Sequence, residues 1–271
     1  MLQTAGEWGC EGVQLFVSNP QGWAVPPERK DAEEFRSGAA EMGLAPVVVH
    51  AKYLINLATR KPDHRRKSVE ALAAELRAAA GIGADFVVFH TGSSGDGDEA
   101  AGIERVAEGV SEVLELAGED AAEPLLENSV GAGTQLCSSF DSLGELARMS
   151  GLRVCIDTAH AHAAGYDLSD PANVPGIVEE LREGLGLERV GLLHLNDAKN
   201  AAGSNRDGHK RIGEGEVPLE SWQELFARLP GVPLIMETPY DTPEVNTRQI
   251  SLVKELAGRS STGLPIATSS I

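Results

Sequence analysis

Seven short apolar runs recur along the sequence, each separated from the next by a stretch with helical patterning. The runs occupy residues 13–18, 46–50, 85–90, 124–129, 153–158, 190–196 and 233–238. Each is continuously apolar rather than alternating, as strands buried on both faces are. Helical patterns lie between them at 65–80, 99–117, 139–149, 173–184 and 219–229. Strict alternation of strand and helix predicts a parallel sheet with right-handed crossovers.

Seven strands at this spacing make up most of a TIM-type (β/α)8 barrel. A doubly wound open sheet is the competing architecture, but no G-x-G-x-x-G sequence follows any of the runs. A chain of 271 residues, 42% of them hydrophobic, can bury one such core. We therefore predict a single α/β barrel domain over residues 1–257. Residues 258–271 are rich in Ser, Thr and Gly, which predicts a flexible C-terminal tail.

The cysteines and the hydropathy of the chain indicate its compartment. The three cysteines are odd in number and widely spaced, which argues against a disulfide scaffold or a zinc ribbon and favours a reducing environment. No stretch approaches the roughly 18 apolar residues that span a bilayer. The N-terminus lacks the basic and apolar segments of a signal peptide. The cytoplasm is therefore the expected location, without membrane association.

The net charge of −18 argues against nucleic acid as a partner, because nonspecific DNA affinity comes from cations that neutralise phosphates. The charge is unevenly distributed, however. Segments 52–67 and 199–211 hold 10 of the 23 basic residues and only 2 of the 41 acidic ones. On charge alone, a phosphate-binding surface and a pair of ordinary solvated loops explain these segments equally well.

Six of the seven apolar runs end in a side chain that can bind a metal ion. These residues are His50, His90, Glu127, Asp157, His194 and Glu237. Active sites of such barrels form at the C-terminal ends of the strands, so the six side chains should converge on one mouth. Three further candidates follow in adjoining loops: His160, Asp207 and His209.

Each of these residues alone has an ordinary structural explanation, such as a hydrogen-bonded histidine at a strand end. Six strand ends together are harder to explain in that way, because burying an unpaired carboxylate costs several kcal/mol or more. A set of four acids and five imidazoles needs cations between its members. Nitrogen and oxygen ligands without thiolate suit Zn²⁺, with Mn²⁺ or Fe²⁺ as alternatives. Nine ligands are too many for one ion and fit three best.

Seven motifs in one order give the chain a family resemblance. They are HAKYLINLA (50–58), FHTGS (89–93), LENS (126–129), CIDTAH (155–160), HLNDAK (194–199), DGH (207–209) and ETP (237–239). Over residues 13–256 the chain resembles the endonuclease IV family of apurinic/apyrimidinic endonucleases. The resemblance implies hydrolysis of the phosphodiester 5′ to an abasic site in double-stranded DNA, during base excision repair. It also implies that the enzyme works as a monomer.

The resemblance implies a site with three zinc ions, with Mn²⁺ as an alternative. His50, His90 and Glu127 would bind one ion, and Glu127 would bridge to a second held by Asp157, His194 and Glu237. His160, Asp207 and His209 would hold the third. Glu127 and Glu237 are the predicted catalytic residues. Divalent ions can supply the nucleophile, the charge neutralisation and the leaving-group stabilisation that phosphodiester hydrolysis needs.

Substrate contacts are also implied by the resemblance. Tyr53 and Leu54 would enter the DNA and help to hold the abasic nucleotide out of the helix, which is cheapest where the base is already missing. Without the resemblance, Tyr53 would be interpreted as a half-buried aromatic residue at the rim. Gln21 stands where the family usually has an arginine that inserts beside the lesion. Glutamine keeps hydrogen bonding but loses charge and stacking.

The start of the chain is a second departure from the family pattern. The family normally opens with a strand that precedes the helix leading into residues 13–18, and here that first strand is missing. An open barrel would expose two strand edges and part of the core. Either the true start lies upstream, or the protein is a fragment of doubtful stability. A third departure is Gly208, which replaces a larger residue and should loosen the loop that carries Asp207 and His209.

Two other functions remain open at this point. A sugar isomerase or epimerase on a xylose-isomerase-like barrel also places carboxylates and histidines at strand ends. It would commonly use one or two ions and lack the set of His160, Asp207 and His209. A DNA-binding or metal-binding remnant without turnover is the third interpretation, which the missing strand suggests.

Overall fold

The computed structural model describes residues 1–27 and 29–258 and the backbone of the strand Ile266–Ser269. The helices are α1 Leu2–Trp8, α2 Ala32–Glu41, α3 Pro62–Gly81, α4 Glu99–Ala117, α5 Phe140–Ser150, α6 Thr158–Ala164, α7 Val174–Gly184, α8 Leu219–Arg228 and α9 Pro243–Leu256. The strands are β1 Gly12–Leu15, β2 Val47–His50, β3 Phe86–His90, β4 Glu123–Glu127, β5 Arg153–Asp157, β6 Val190–Leu195, β7 Asp197–Ala198, β8 His209–Lys210, β9 Leu234–Met236 and β10 Ile266–Ser269.

Eight of these strands close into a parallel barrel in the order β1-β10-β9-β6-β5-β4-β3-β2. The TIM-type barrel is therefore confirmed, and each of the seven predicted strands is present. The short strands β7 and β8 form an antiparallel hairpin outside the barrel sheet. This hairpin follows β6 and carries the segment between Asp197 and Lys210 across the mouth.

The strand β10 completes the ring. Within the described part of the chain α1 is the first element and no strand precedes β1, as predicted. The expectation of two exposed edges is nevertheless wrong, because Ala267 pairs with Gly12 of β1 on one side and with Ile235 of β9 on the other. This strand lies inside the segment predicted as a flexible tail. Apart from Gly258 and β10, that segment lies outside the described residues.

A layer of apolar side chains fills the barrel beneath the mouth. Its members are Val48, Val88, Leu125, Cys155, Leu192 and Ile235, each fully buried and each from a different strand. Side chains two positions apart on a strand point to the same face of the sheet. A polar residue two positions after each of these therefore points into the barrel, above an apolar floor.

The larger part of the core lies between the barrel and the helices that surround it. Leu72 and Leu76 of α3, Val106 of α4 and Trp222 of α8 are all buried against the outside of the sheet. Cys10, Cys137 and Cys155 are all buried. None of the described helices combines the length and the apolar character that crossing a bilayer requires.

Candidate metal centre

Strand register brings the predicted ligands to one place. His50, His90, Glu127, Asp157, His194 and Glu237 each follow a floor residue by two positions: Val48, Val88, Leu125, Cys155, Leu192 and Ile235 respectively. Paired residues on neighbouring strands also match, since His90 is in register with Glu127 and Asp157 with His194. The pleat of the parallel sheet therefore aims all six side chains at the barrel axis.

The first group consists of His50, His90 and Glu127. The Oε2 atom of Glu127 lies 3.1 Å from Nε2 of His90 and 3.4 Å from Nε2 of His50. Two ligands that each stand about 2.0–2.1 Å from a tetrahedral ion are about 3.3 Å apart. The three donor atoms thus have the spacing of ligands that share one cation.

The second group uses the other oxygen of the same carboxylate. Oε1 of Glu127 lies 3.0 Å from Nδ1 of His194, and that nitrogen is 3.1 Å from Oε2 of Glu237. Asp157 completes this set. Glu127 therefore directs one oxygen to each of two groups, which is the geometry of a bridging ligand.

The third group combines Asp157, His160 and His209. Asp207 adjoins it, with its Oδ1 atom 3.1 Å from Nε2 of His209 and 3.6 Å from Nε2 of His160. The carboxylate of Asp157 is buried and belongs to both the second and the third group. All nine predicted ligands lie in one continuous cluster.

Hydrogen bonds to backbone carbonyls outside the cluster fix which nitrogen faces inward in His50 and His160. Nδ1 of His50 donates to the carbonyl of Ala51 at 2.8 Å, and Nδ1 of His160 donates to the carbonyl of Asn128 at 3.0 Å. Each of these hydrogen bonds places the ring proton on Nδ1. The lone pair of Nε2 is then directed into the cluster, where it can bind a metal ion. Such second partners hold metal-binding histidines in one tautomer and orientation.

The charges of the cluster stabilise one another. Burial favours the neutral form of Glu127, but the imidazoles of His194 and His90 hold the pKa of this carboxyl well below its usual range. Hydrogen bonds from His160 and His209 likewise lower the pKa of Asp207. Both carboxylates therefore remain anionic at neutral pH.

The pKa values of two imidazoles in the cluster shift in the opposite direction, upward. Burial by itself lowers the pKa of His160, yet the charge of Asp157 and the hydrogen bond with Asp207 raise it to about 10. The pKa of His209 rises to about 9 against the same effect of burial, mainly through its hydrogen bond with Asp207. The cluster therefore demands positive charge, which either protons or metal cations can supply.

A buried atom supports the second alternative. Within the described chain, Oε2 of Glu127 is buried without a hydrogen bond of good geometry. Buried polar atoms are nearly always satisfied, so such an atom at the centre of a ligand cluster indicates a missing partner. The donor set, imidazole nitrogen with carboxylate oxygen and no thiolate, fits Zn²⁺ or Mn²⁺.

Comparison with known proteins identifies the family. Residues 2–256 match the family described as xylose isomerase-like TIM barrel. A probable endonuclease 4 of Haloquadratum walsbyi is 37% identical over 262 residues, which cover 94% of this chain and 91% of that protein. A probable endonuclease 4 of Streptomyces coelicolor is 38% identical over 246 residues, 88% of this chain and 84% of that protein. The crystal structure of endonuclease IV from Thermus thermophilus superimposes with a TM-score of 0.84 at 33% identity, and the match covers 95% of this chain and 93% of that one.

The chain belongs to the endonuclease IV family.

Sugar epimerases share the architecture of this family but resemble the chain less. A D-tagatose 3-epimerase-like protein superimposes with a TM-score of 0.71 at 19% identity and covers 92% of this chain and 90% of that one. Such a similarity demonstrates a common fold and nothing more. The sequence resemblance and the structural comparison therefore agree on the same family.

The residues that the endonuclease IV resemblance assigns to substrate binding lie around the mouth. The side chain of Tyr53 is half exposed, and its ring centroid is 5.3 Å from that of His50 and 5.9 Å from that of His90. Leu54 is partly buried beside it, and Gln21 is exposed on the preceding loop. The backbone N–H of Tyr53 donates to the carbonyl of Pro20 at 3.2 Å, so the two loops are in contact.

Half of the basic residues in the two basic segments are already paired with acids. Arg60 pairs with Asp96, Arg65 with Glu112 and Glu108, Arg66 with Glu70 and Asp63, Arg211 with Glu214 and Asp241, and buried Lys52 with Glu75. In the described part of the chain, the other five form no ion pair: Lys61, Lys67, Lys199, Arg206 and Lys210. The last three lie on or beside the hairpin that carries Asp207 and His209. The unpaired cationic surface is therefore smaller than the sequence suggests.

Three polar residues of the site were missed by reasoning from the sequence. Gln14 is fully buried on β1 and its Oε1 atom accepts a hydrogen bond from Nε2 of His194 at 2.9 Å. The amide of Asn128 binds both the backbone N–H and the carbonyl of Asp157. Asn196 donates to the carboxylate of Asp157 at 2.6 Å. A polar residue inside an apolar run, as in Val13-Gln14-Leu15, was the available signal for the first of them.

Proposed function

We propose that this chain is a metal-dependent apurinic/apyrimidinic endonuclease. It hydrolyses the DNA phosphodiester 5′ to an abasic site in base excision repair, with double-stranded DNA as its substrate and as a monomer. The observation that carries the proposal is the shared position of Glu127 between two groups of ligands, with a third group joined through Asp157. The membership of the endonuclease IV family agrees with this chemistry.

We propose three Zn²⁺ ions, with Mn²⁺ as the alternative. His50, His90 and Glu127 hold the first, and Glu127, Asp157, His194 and Glu237 hold the second. His160, Asp207 and His209 would hold the third, and the carboxylate of Asp157 belongs to both the second and the third group of residues. When bound, the ions supply a nucleophile at neutral pH and neutralise charge on the phosphate and on the leaving oxygen.

The residues of the chain have separate tasks in this proposal. Glu127 sets the distance between the first two groups, because its two oxygens belong to one rigid carboxylate. Glu237 is the least buried of the ligands in its group, with 14% of its side chain exposed, and therefore faces incoming substrate. Gln14 holds the imidazole of His194 so that its Nδ1 atom is directed to Glu127 and Glu237.

Substrate selection follows from the shape beside the cluster. A cavity of about 210 Å³ is lined by Tyr53, Asn56, His90, His160 and Asp207, among other residues. Pockets for ordinary small ligands measure roughly 300–1,000 Å³. A cavity this small favours a sugar-phosphate unit without its base over a complete nucleotide. Tyr53 lines this cavity and Leu54 follows it in the chain, and we propose that both fill the space that an extruded abasic nucleotide leaves in the duplex.

Incision of defined duplexes tests the function. The purified protein, loaded with Zn²⁺ or Mn²⁺, is incubated with a duplex that carries one tetrahydrofuran abasic analogue and with its undamaged counterpart. We expect a single metal-dependent nick 5′ to the analogue and an intact control duplex. A folded, metal-loaded protein that leaves both duplexes intact would contradict the proposal.

Metal analysis of the same sample separates the alternatives. About three tightly held ions per chain support the endonuclease, as the nine proposed ligands require. One ion per chain, together with turnover of a ketose sugar, would instead indicate an isomerase or epimerase. Binding of abasic duplex without incision would indicate a remnant that has lost its chemistry.

A further inference from the structure

A buried ion pair lies behind the rim of the site, outside the ligand cluster. The side chains of Lys52 and Glu75 are only 1% and 2% exposed, and Nζ of Lys52 is 3.2 Å from Oε1 of Glu75. Lysine is almost never fully buried unless it is paired. The free energy lost when two charges are removed from water is about as large as the free energy gained from their attraction. A contribution to stability alone therefore does not explain such a pair.

The contacts of the pair connect three parts of the chain. The ammonium group of Lys52 also donates to Oγ of Ser18 and to the carbonyl of Asn19, so its three donors are all engaged. Glu75 of α3 accepts from Oγ of Ser18 at 2.7 Å and from the backbone N–H of Lys52 at 3.0 Å. The loop after β1 and the loop after β2 thus meet on one helix, α3.

Both loops carry residues that the family resemblance assigns to DNA contact. Gln21 follows Asn19 by two positions, and Tyr53 follows Lys52 directly. The helix α3 holds the second loop at two more points, because Nε2 of His64 donates to the carbonyl of Leu54 at 3.0 Å and Oγ of Ser68 accepts from the N–H of Asn56 at 3.0 Å. The backbone of residues 52–56 is therefore fixed at every second residue.

We propose that Lys52 and Glu75 are positioning residues that join the loops 18–21 and 52–56 into one rigid rim for the DNA strand. Neither side chain reaches the substrate; each acts through the backbone that it holds. Interactions fixed before binding do not have to be ordered during binding, which increases affinity without changing the chemistry. This inference rests on the proposed endonuclease function.

A double variant tests the proposal without leaving a buried charge. Either single substitution would strand one charge in the interior and could unfold the protein. Lys52→Met combined with Glu75→Gln removes both charges, preserves volume and leaves an amide that can still accept from the N–H of residue 52. The link from Lys52 to Asn19 and Ser18 is lost.

We expect the double variant to keep its metal content and its kcat while its KM for abasic duplex rises about tenfold, the cost of ordering one or two side chains on binding. In the free protein, amide hydrogen exchange at Tyr53, whose N–H is bound to Pro20, should become faster. The matched control is Glu224→Gln with Arg228→Met, an exposed ion pair on α8. The control should match the wild type in every measurement.

The outcomes separate this inference from the function on which it rests. An unchanged KM and an unchanged exchange rate at Tyr53 overturn the positioning role. A loss of metal content or of kcat at constant KM also overturns it, since the pair would then act on the ligand cluster. A wild-type protein that neither binds nor cuts abasic DNA would contradict the function, while the exchange rate would still decide whether the two loops are coupled.

Discussion

The side chain of Gln14 and the imidazole of His194 are joined by a hydrogen bond of 2.9 Å that spans the barrel from β1 to β6. The amide nitrogen of Gln14 also donates to the carboxylate of Glu237. One glutamine therefore orients two of the proposed ligands of the second group. Because it donates to one ligand and accepts from the other, no apolar residue can replace it.

Gln14→Leu should reduce metal affinity at the second group. The variant keeps roughly the same volume but frees the ring of His194 to rotate, and loss of such an outer partner typically costs 10–100-fold in metal affinity or activity. We expect about that loss of incision, partly restored by excess Zn²⁺. Metal titration monitored by incision rate measures it, with Gln249→Leu on α9 as the control. A Gln14→Leu variant with wild-type metal dependence would show that this amide has no orienting role.

Glu127→Gln should abolish most of the activity while the fold survives. Two groups would lose a shared negative charge, and an amide is a poor ligand for Zn²⁺, so we expect incision to fall by several orders of magnitude. Glu123→Gln, at the other end of the same strand and paired with Arg153, is the matched control and should keep full activity. Bound metal and circular dichroism are measured in parallel. Near-normal turnover in the variant would exclude the bridging role.

The stability of the metal-free protein should fall as the pH rises. The pKa of His160 is raised to about 10 and that of His209 to about 9, above the ordinary value of 6.5. Their protonation therefore contributes stability that is complete below about pH 6.5 and is lost as the pH rises through these values. The pKa of Asp207 is lowered, so the stability that this carboxylate contributes is present at neutral pH and is lost only in acid.

Thermal unfolding between pH 6 and 10 in the presence of a chelator measures this effect. Bound metal requires neutral imidazoles, so the metal-loaded protein should instead bind its ions more tightly as the pH rises over the same range. The double variant His160→Asn with His209→Asn should flatten the chelator curve. A metal-free wild type whose stability increases from pH 7 to pH 9 would refute the assigned direction.

Ala267→Pro should destabilise the barrel. The strand β10 is paired on both sides, and proline removes a backbone donor from the ladder, which only edge strands tolerate. We expect the melting temperature to fall by roughly 5 °C or more. Ala267→Ser, which keeps the N–H, serves as the control for differential scanning calorimetry. Equal melting temperatures for the two variants would indicate that β10 contributes little to closure.

The barrel and its ligand cluster were largely predictable because two simple rules coincide. Parallel strands buried on both faces produce continuous apolar runs, and a polar residue that ends such a run lies at the mouth. His50 after Val47-Val48-Val49 and Glu127 after Leu125-Leu126 both follow this rule. The three-way division of the cluster needed the family resemblance, since spacing alone does not reveal which residues share an ion.

The strand β10 and the burial of Lys52 could not be predicted, because both depend on contacts between distant parts of the chain that the local sequence pattern does not encode. The strand β10 has the sequence Ile-Ala-Thr-Ser, which is not a continuous apolar run, so its propensity resembles that of the neighbouring Ser- and Thr-rich residues. Lys52 belongs to a basic segment and was interpreted as part of an exposed surface. Its burial against Glu75 follows from how α3 packs on the barrel, 23 residues further along the chain.

The order of the strands along the chain affects how the barrel folds during synthesis. The strand β10 follows the other seven barrel strands in the chain, yet it stands between the first of them and the last. A nascent chain therefore carries all nine proposed ligands before its ring can be sealed. Before β10 pairs, the incomplete sheet can bind cations in a non-native arrangement. It can also associate through its unpaired edges with another incompletely folded copy.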